Sequence, residues 1–221
     1  ASSIQVVPAI APLVAKLDVF QRTPAWIVPR LDRAFSPLEK ALFEHLPLTQ
    51  RTRRAAIYLR NELAGLAFVH GARLAKFAET MGRHHLRDSI PDPALRERLT
   101  PSYRMGCKRV LLSNDYYPAF LRPNVELVTE RIAEITERGV RTVDGEEREL
   151  DALVYCTGFQ TSEYLSKVQV RGVGGHELSE TWRGAPETFL GITVSGFPNM
   201  FLMMGPNTGL GSNSMVFMIE A

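Results

Sequence analysis

The sequence predicts an α/β fold, and three patterns along the chain lead to this class. Near the start, apolar residues at helical spacing precede an extended apolar segment, residues 17–22. A helix followed by a strand is the second half of a βαβ unit. Residues 36–99 then show helical periodicity, and residues 125–150 are predicted to form short strands joined by turns.

Local signals set the bounds of the predicted helices. Ser36-Pro37-Leu38-Glu39 has the spacing of a capping box, with proline at the first helical position. Asp92-Pro93 opens a further short helix in the same way. The predicted helices cover residues 4–16, 37–46, 49–81 and 93–99.

Short strands dominate the second half of the chain. Residues 125–128, a strand through Ile132 and Ile135, and a hairpin turning at Asp144-Gly145 are predicted to form a small β-meander. Two buried strands are predicted to follow, residues 151–157 and 199–204. Each ends in a glycine-containing turn, where backbone can approach a ligand closely. A helix is predicted from residue 212 onward.

Composition excludes several classes of function. The chain has 221 residues, 45% of them hydrophobic, which is enough for a core. A formal net charge of +2 is too small to argue for nucleic acid or an anionic membrane as partner. No apolar run approaches the roughly 18 residues of a membrane span. Cys107 and Cys156 match no metal or redox spacing, so we expect no metal and a cytoplasmic location.

The end of the first strand carries a cofactor signal. Folds specific for NAD usually place an acidic residue there for the ribose 2′-hydroxyl, whereas this chain has Gln21-Arg22-Thr23. An arginine attracts a 2′-phosphate that an acidic residue would repel. The sequence therefore favours NADPH over NADH, the alternative being a solvated arginine at a strand end.

Two adjacent cations, Lys108 and Arg109, stand before the apolar run Val110-Leu111-Leu112. In an extended segment neighbouring side chains point to opposite faces, so the pair could serve two anions on two sides of one strand. The alternative is a basic strand end that faces water.

The segment that starts at Gly106-Cys107-Lys108-Arg109 and ends at Ser113-Asn114-Asp115-Tyr116-Tyr117-Pro118 resembles the flavin-containing Baeyer–Villiger monooxygenases. The resemblance extends over nearly the whole chain, through Gln21-Arg22-Thr23-Pro24 and through Cys156-Thr157-Gly158, where the family usually has Ala-Thr-Gly. It implies that Lys108 binds the 2′-phosphate of NADPH. It also implies that Arg109 reaches the flavin and stabilises negative charge there during oxygen activation.

The resemblance implies a two-dinucleotide-binding (Rossmann-like) flavoprotein fold with a helical insertion and a small β-meander. Residues 1–34 and 101–124 would belong to the NADP-binding domain, and residues 35–100 would be the insertion. Residues 125–221 would form the β-meander and the C-terminal part of the FAD-binding domain. We expect the chain to be an internal piece of a longer protein, truncated at both ends and inactive alone.

The resemblance also assigns site residues, with Arg109 as the catalytic residue. For Ser2 and Ser3, an ordinary role as helix N-cap is an equal alternative. The predicted NADP-binding residues are Ser2, Ser3, Gln5, Gln21, Arg22, Thr23 and Lys108. The predicted FAD-binding residues are Thr157, Gly158, Phe159, Gly205, Pro206, Asn207, Thr208, Gly209 and Leu210.

The function that the resemblance implies is part of an FAD- and NADPH-dependent monooxygenase, which inserts oxygen next to the carbonyl of a small ketone. One alternative is a flavin monooxygenase that oxidises heteroatoms, and another is a non-catalytic binding module. Nucleic acid and an integral membrane segment are not expected, and self-association of the chain is an open alternative.

Overall fold

The chain has an α/β fold, as the sequence predicts, and it divides into two units. The first comprises Ala1–Arg53 and Leu66–Gly158, and the second comprises Arg54–Gly65 and Phe159–Ala221. The structure is a computed structural model. It describes residues 2–69, 72–158, 165, 168–209 and 215–216, and of these the side chains of 64, 66–69 and 72–75 are not described.

The first unit starts with helix α1, Ser3–Ile10, and strand β1, Leu17–Phe20. The helix buries Ile4 and Val7. It is shorter than the predicted 4–16 and contains Pro8. The strand is also shorter than the predicted 17–22, although the backbone N–H of Gln21 still donates to Val128.

Two pairs of parallel strands form the sheet structure of this unit. Strand β2, Ile27–Val28, pairs with β3, Leu111–Leu112, and β1 pairs with β4, Val125–Val128. The sequence placed residues 125–128 with the meander, but their partner is the strand 17–20 far away in sequence. Parallel strands end at the same edge, so the segment after β1 lies beside the segment after β4.

Helices occupy most of the chain between β2 and β3: α2 is Pro37–His45, α3 is Pro47–Val69, α4 is Ala72–Ser89 and α5 is Pro93–Arg98. The capping box is present, since Ser36 Oγ accepts from the Glu39 N–H and Glu39 accepts from the Ser36 N–H. Asp92 caps α5 through two backbone N–H groups. The helix predicted for residues 49–81 corresponds to α3 and the first part of α4, which are described on either side of residues 70–71.

The core of the first unit lies where α1, α4 and the short helix α6, Tyr116–Ala119, meet the parallel strands. Leu86 and Ile90 of α4 are buried there beside Tyr117. His85 also anchors α4, since its Nε2 lies 3.0 Å from the Ser113 carbonyl oxygen. This packing fixes the segment after β3, which contains Tyr116 and Tyr117.

The β-meander consists of β5, Ile132–Ile135, β6, Gly139–Thr142, and β7, Glu147–Glu149, in antiparallel order. The buried guanidinium of Arg148 on β7 joins the meander to the parallel strands. It donates to Glu126 at 2.9 Å and lies 3.5 Å from Asp18, whose side chain is 2% exposed. The hydrogen bond with Glu126 raises the pKa of Arg148, so the cation persists at any ordinary pH.

Two predicted strands are wrong in the described residues. Residues 152–158 form no strand and are mostly exposed, and residues 199–204 contribute only an isolated bridge between Phe201 and Thr193. An apolar segment becomes a strand only when a neighbour supplies its hydrogen bonds, and the described backbone supplies none to residues 152–158. In the second unit, helix α7, Leu178–Thr181, and Trp182 pack with Val194 and Phe197.

The helix predicted from residue 212 falls almost wholly outside the described residues. Among the helices that are described, none combines the length and the apolar character that a membrane span needs.

Candidate functional site

The segment Gln21-Arg22-Thr23 directly follows β1, at the carboxyl end of a parallel strand pair. The Tyr116 hydroxyl donates to Gln21 Oε1 at 2.9 Å. Burial raises the pKa of Tyr116 to about 12, so this hydroxyl keeps its proton. The amide nitrogen of Gln21 is buried and has no hydrogen-bond partner among the described residues. A buried donor without a partner needs an explanation, and a bound ligand can provide one.

Arg22 and Thr23 are both exposed. Within the described part of the chain, the guanidinium of Arg22 makes no ion pair, so its charge is available to an anion. This is the arrangement that the NADPH prediction requires of Arg22.

Lys108 and Arg109 precede β3 and are both exposed. The strand begins only at Leu111, and Lys108 lies in a bend, so the alternation of faces expected for an extended strand does not apply to the pair. The ammonium of Lys108 lies 4.9 Å from the centre of the Tyr103 ring. Arg109 makes no hydrogen bond or ion pair with the described residues.

Ser2, Ser3 and Gln5 lie at the start of α1. Ser2 is the residue before the helix, but its side chain makes no capping hydrogen bond, so its hydroxyl is not used in the ordinary N-cap role. Gln5 is exposed and lines an open cleft of about 570 Å³ between α1 and the segment after β3.

The segments predicted to bind FAD are open. Thr157 and Gly158 are exposed, and Gly158 has a left-handed backbone with nothing within 4 Å of the position that a Cβ would take. Phe159 and Leu210 lie outside the described residues.

Residues 205–209 are the described part of the predicted glycine-rich turn. Thr208 closes it by donating to the Gly205 carbonyl through both its N–H and its hydroxyl. Gly205 is buried, and a Cβ there would lie 2.2 Å from the Gly191 oxygen. This glycine is therefore required by the protein's own backbone. Pro206 and Asn207 form the tip of the turn, and Gly209 has open space around it.

A metal centre is not found in the described residues, since no group of three His, Cys, Asp or Glu side chains there could hold an ion. His84 and His85 point to different partners: His84 lies 3.1 Å from Asp88, and His85 contacts the Ser113 carbonyl.

The amino-acid sequence of the chain is similar to those of known monooxygenases. Along all of its length the chain is 46% identical to a Baeyer–Villiger monooxygenase of Streptomyces coelicolor and 44% identical to one of Pseudomonas aeruginosa. It is related to the Baeyer–Villiger monooxygenases. The chain spans 43% and 42% of the length of these two relatives. No family model matches it.

Two solved structures with related sequences have a similar fold. The closed crystal structure of cyclohexanone monooxygenase matches 99% of this chain and 49% of its own chain, with a TM-score of 0.80 and 27% identity. OTEMO in complex with FAD and NADP matches 94% of this chain and 45% of its own, with a TM-score of 0.76 and 26% identity.

Sequence reasoning missed three side-chain contacts close to the predicted cofactor residues. Asn114 joins the ends of β2 and β3, since it exchanges two hydrogen bonds with the backbone of Arg30, at 2.9 and 3.0 Å. Tyr116 fixes Gln21, and Tyr103 contacts Lys108. The sequence signal that could have indicated these contacts is the presence of aromatic and amide side chains within a few residues of Lys108 and Arg109.

Proposed function

We propose that this chain is part of an FAD- and NADPH-dependent monooxygenase that inserts an oxygen atom next to the carbonyl of a small ketone. The observation that carries the proposal is the similarity to Baeyer–Villiger monooxygenases along the full length of the chain. We propose a cytoplasmic location, because the two cysteines are unpaired.

The NADPH part of the proposal is supported by the residues after β1 and before β3. Arg22 and Lys108 are exposed cations, and Gln21 keeps a buried amide donor without a partner. A 2′-phosphate would satisfy cations of this kind through charge-assisted hydrogen bonds. Ser2, Ser3, Gln5 and Thr23 are assigned to the same cofactor, on the resemblance alone.

Arg109 is the proposed catalytic residue. Its guanidinium is exposed and has no partner in the described residues, so its charge can act on a bound group. Bound FAD would supply the activation of oxygen, and NADPH would supply the electrons. The task of Arg109 would be to stabilise negative charge next to the flavin, in a site from which water is excluded.

The FAD part of the proposal is supported by the open surroundings of two glycines. Gly158 and Gly209 have open surroundings that allow close approach of a ligand, whereas Gly205 is explained by its contact with Gly191. We propose that Thr157–Phe159 and Gly205–Leu210 contact FAD.

The finer fold is part of the same proposal. We infer a Rossmann-like, two-dinucleotide-binding fold in which residues 35–100 are a helical insertion. Two separate two-stranded parallel sheets support this, because parallel strands normally belong to larger sheets that are covered on both faces. Residues 1–34 and 101–124 would form the NADP-binding part, and residues 125–221 the meander and the FAD-binding part.

The test uses the full-length protein supplied with FAD, NADPH and a panel of cyclic ketones and organic sulfides. An ester or lactone that gains one oxygen from labelled dioxygen is the expected product. If only the sulfides are oxidised, the heteroatom-oxidising alternative replaces the proposal. If neither class reacts although FAD and NADPH both bind, the chain is a binding module and the proposal fails.

A further inference from the structure

We propose that Tyr103 is a positioning residue that holds the Lys108 ammonium for the 2′-phosphate of the cofactor, and so contributes to the choice of NADPH over NADH. This inference rests on the proposed NADPH dependence and adds to it a residue that would act through Lys108.

The contact between the two side chains has the geometry of a cation–π interaction. Lys108 Nζ lies 4.9 Å from the centre of the Tyr103 ring, within the roughly 6 Å that such contacts require. A lysine is otherwise a flexible stem that loses rotamer freedom when its charge meets a ligand. A ring that already holds the ammonium reduces this loss and leaves N–H groups free for phosphate oxygens.

The backbone that carries Tyr103 is itself fixed. Trp26, which is 2% exposed, donates from its indole nitrogen to the Tyr103 carbonyl at 2.8 Å. Two residues further on, the Met105 N–H donates to Glu79 on α4 at 3.0 Å. The backbone that carries the ring is therefore held at two points by elements of the first unit, which favours a stable position of the ring beside Lys108.

The charges around Tyr103 favour an anion. Its ring lines a cleft of about 360 Å³ together with Lys76, Glu79, Arg83 and Arg104. The carboxylate in this set, Glu79, already accepts from the Met105 N–H. Arg83 stacks on Trp26 at 5.2 Å, and none of the cleft's cations has an ion pair with a described residue. The surroundings thus attract a doubly charged phosphate more than the neutral 2′-hydroxyl of NADH.

The pair is tested in the full-length protein by comparing Tyr103→Leu with Tyr103→Phe. Loss of the ring in Tyr103→Leu should lower the ratio of the affinity for NADP⁺ to that for NAD⁺, measured by equilibrium binding, about two- to fivefold, and the ratio of kcat/KM for NADPH to that for NADH should fall by a similar factor. Tyr103→Phe keeps the ring and should keep the ratio. In a Lys108→Ala background, Tyr103→Leu should cause no further change, because the partner of the ring is already absent.

The outcomes separate this inference from the proposed function. If Lys108→Ala leaves the preference for NADPH over NADH unchanged, Lys108 does not bind the 2′-phosphate. The role that the proposed function gives to Lys108 is then wrong. If Lys108→Ala lowers the ratio but Tyr103→Leu does not, the role of Tyr103 is overturned while the proposed function stands. Equal losses for NADPH and NADH in Tyr103→Leu would show that the ring supports the structure only, which also overturns the inference.

Discussion

Tyr116 donates a hydrogen bond to the side-chain oxygen of Gln21 at 2.9 Å, although 95 residues separate the two in sequence. The contact joins the segment after β3, which follows Lys108 and Arg109 along the chain, to the segment after β1, where the resemblance assigns Gln21, Arg22 and Thr23 to the NADP site. Because Gln21 Oε1 accepts from Tyr116, the amide nitrogen is turned away from the hydroxyl, and it is buried without a hydrogen-bond partner among the described residues.

Tyr116→Phe should weaken NADPH binding in the full-length protein. The variant removes one neutral hydrogen bond, worth about 0.5–1.5 kcal/mol, and lets the Gln21 amide turn. The KM for NADPH should rise roughly two- to tenfold. Tyr117→Phe is the matched control, because Tyr117 is equally buried and its hydroxyl makes no hydrogen bond with the described residues. Equal effects of the two variants would refute the role given to Tyr116.

Arg22→Ala should raise the KM for NADPH and barely change that for NADH. A charge-assisted contact to the 2′-phosphate is worth about 1.5–3 kcal/mol, or roughly 10- to 150-fold in affinity. Arg30→Ala serves as the control, since Arg30 is another exposed arginine at a strand end but is paired with Asp32 at 2.9 Å. Steady-state kinetics with each cofactor measures the two KM values. An equal rise in the KM for NADPH and for NADH would refute the assignment of Arg22 to the 2′-phosphate.

The sequence predicted features that depend on a few neighbouring residues. The Ser36–Glu39 capping box and the Asp92 cap are contained within one helical turn, and both are present. The strand predicted for residues 151–157 is not formed. A strand depends on a distant neighbour that its own residues do not specify. The Lys108–Tyr103 contact was missed for a related reason, since only the folded loop brings the ring under the ammonium.

Arg148→Met should destabilise the protein by about 3 kcal/mol, at the lower end for breaking a buried ion pair, because Asp18 is left buried with Lys16 alone. Arg138→Met on the same meander is the control. The side chain of Arg138 is 70% exposed and forms ion pairs with Glu147 and Glu149. Exposed pairs of this kind contribute about 0–1 kcal/mol to stability. Urea unfolding midpoints measure both variants, and equal stability of the two would contradict the proposed role of Arg148.

Acid should loosen the start of α2 only at low pH. A hydrogen bond from Arg33 lowers the pKa of the Glu39 carboxyl from 4.5 to about 2. Since the folded pKa lies below the unfolded one, the stabilisation is complete above about 4.5 and is lost as pH falls toward about 2. Carboxyl NMR of Glu39 should show this titration, and Arg33→Ala should return it toward the ordinary value. A normal titration in the parent protein would disprove the contact in solution.

The central claim is most directly tested by the ratio of oxygenated ketone formed to NADPH consumed, measured in the full-length protein and in Arg109→Ala. The parent protein should give a ratio near unity. Loss of a stabilising charge in a closed site costs on the order of 3–4 kcal/mol, so Arg109→Ala should lower oxygenation more than a hundredfold while NADPH is still consumed. Arg109→Lys keeps the charge without the planar fork and should recover only part of the ratio. A parental ratio in Arg109→Ala would contradict the account.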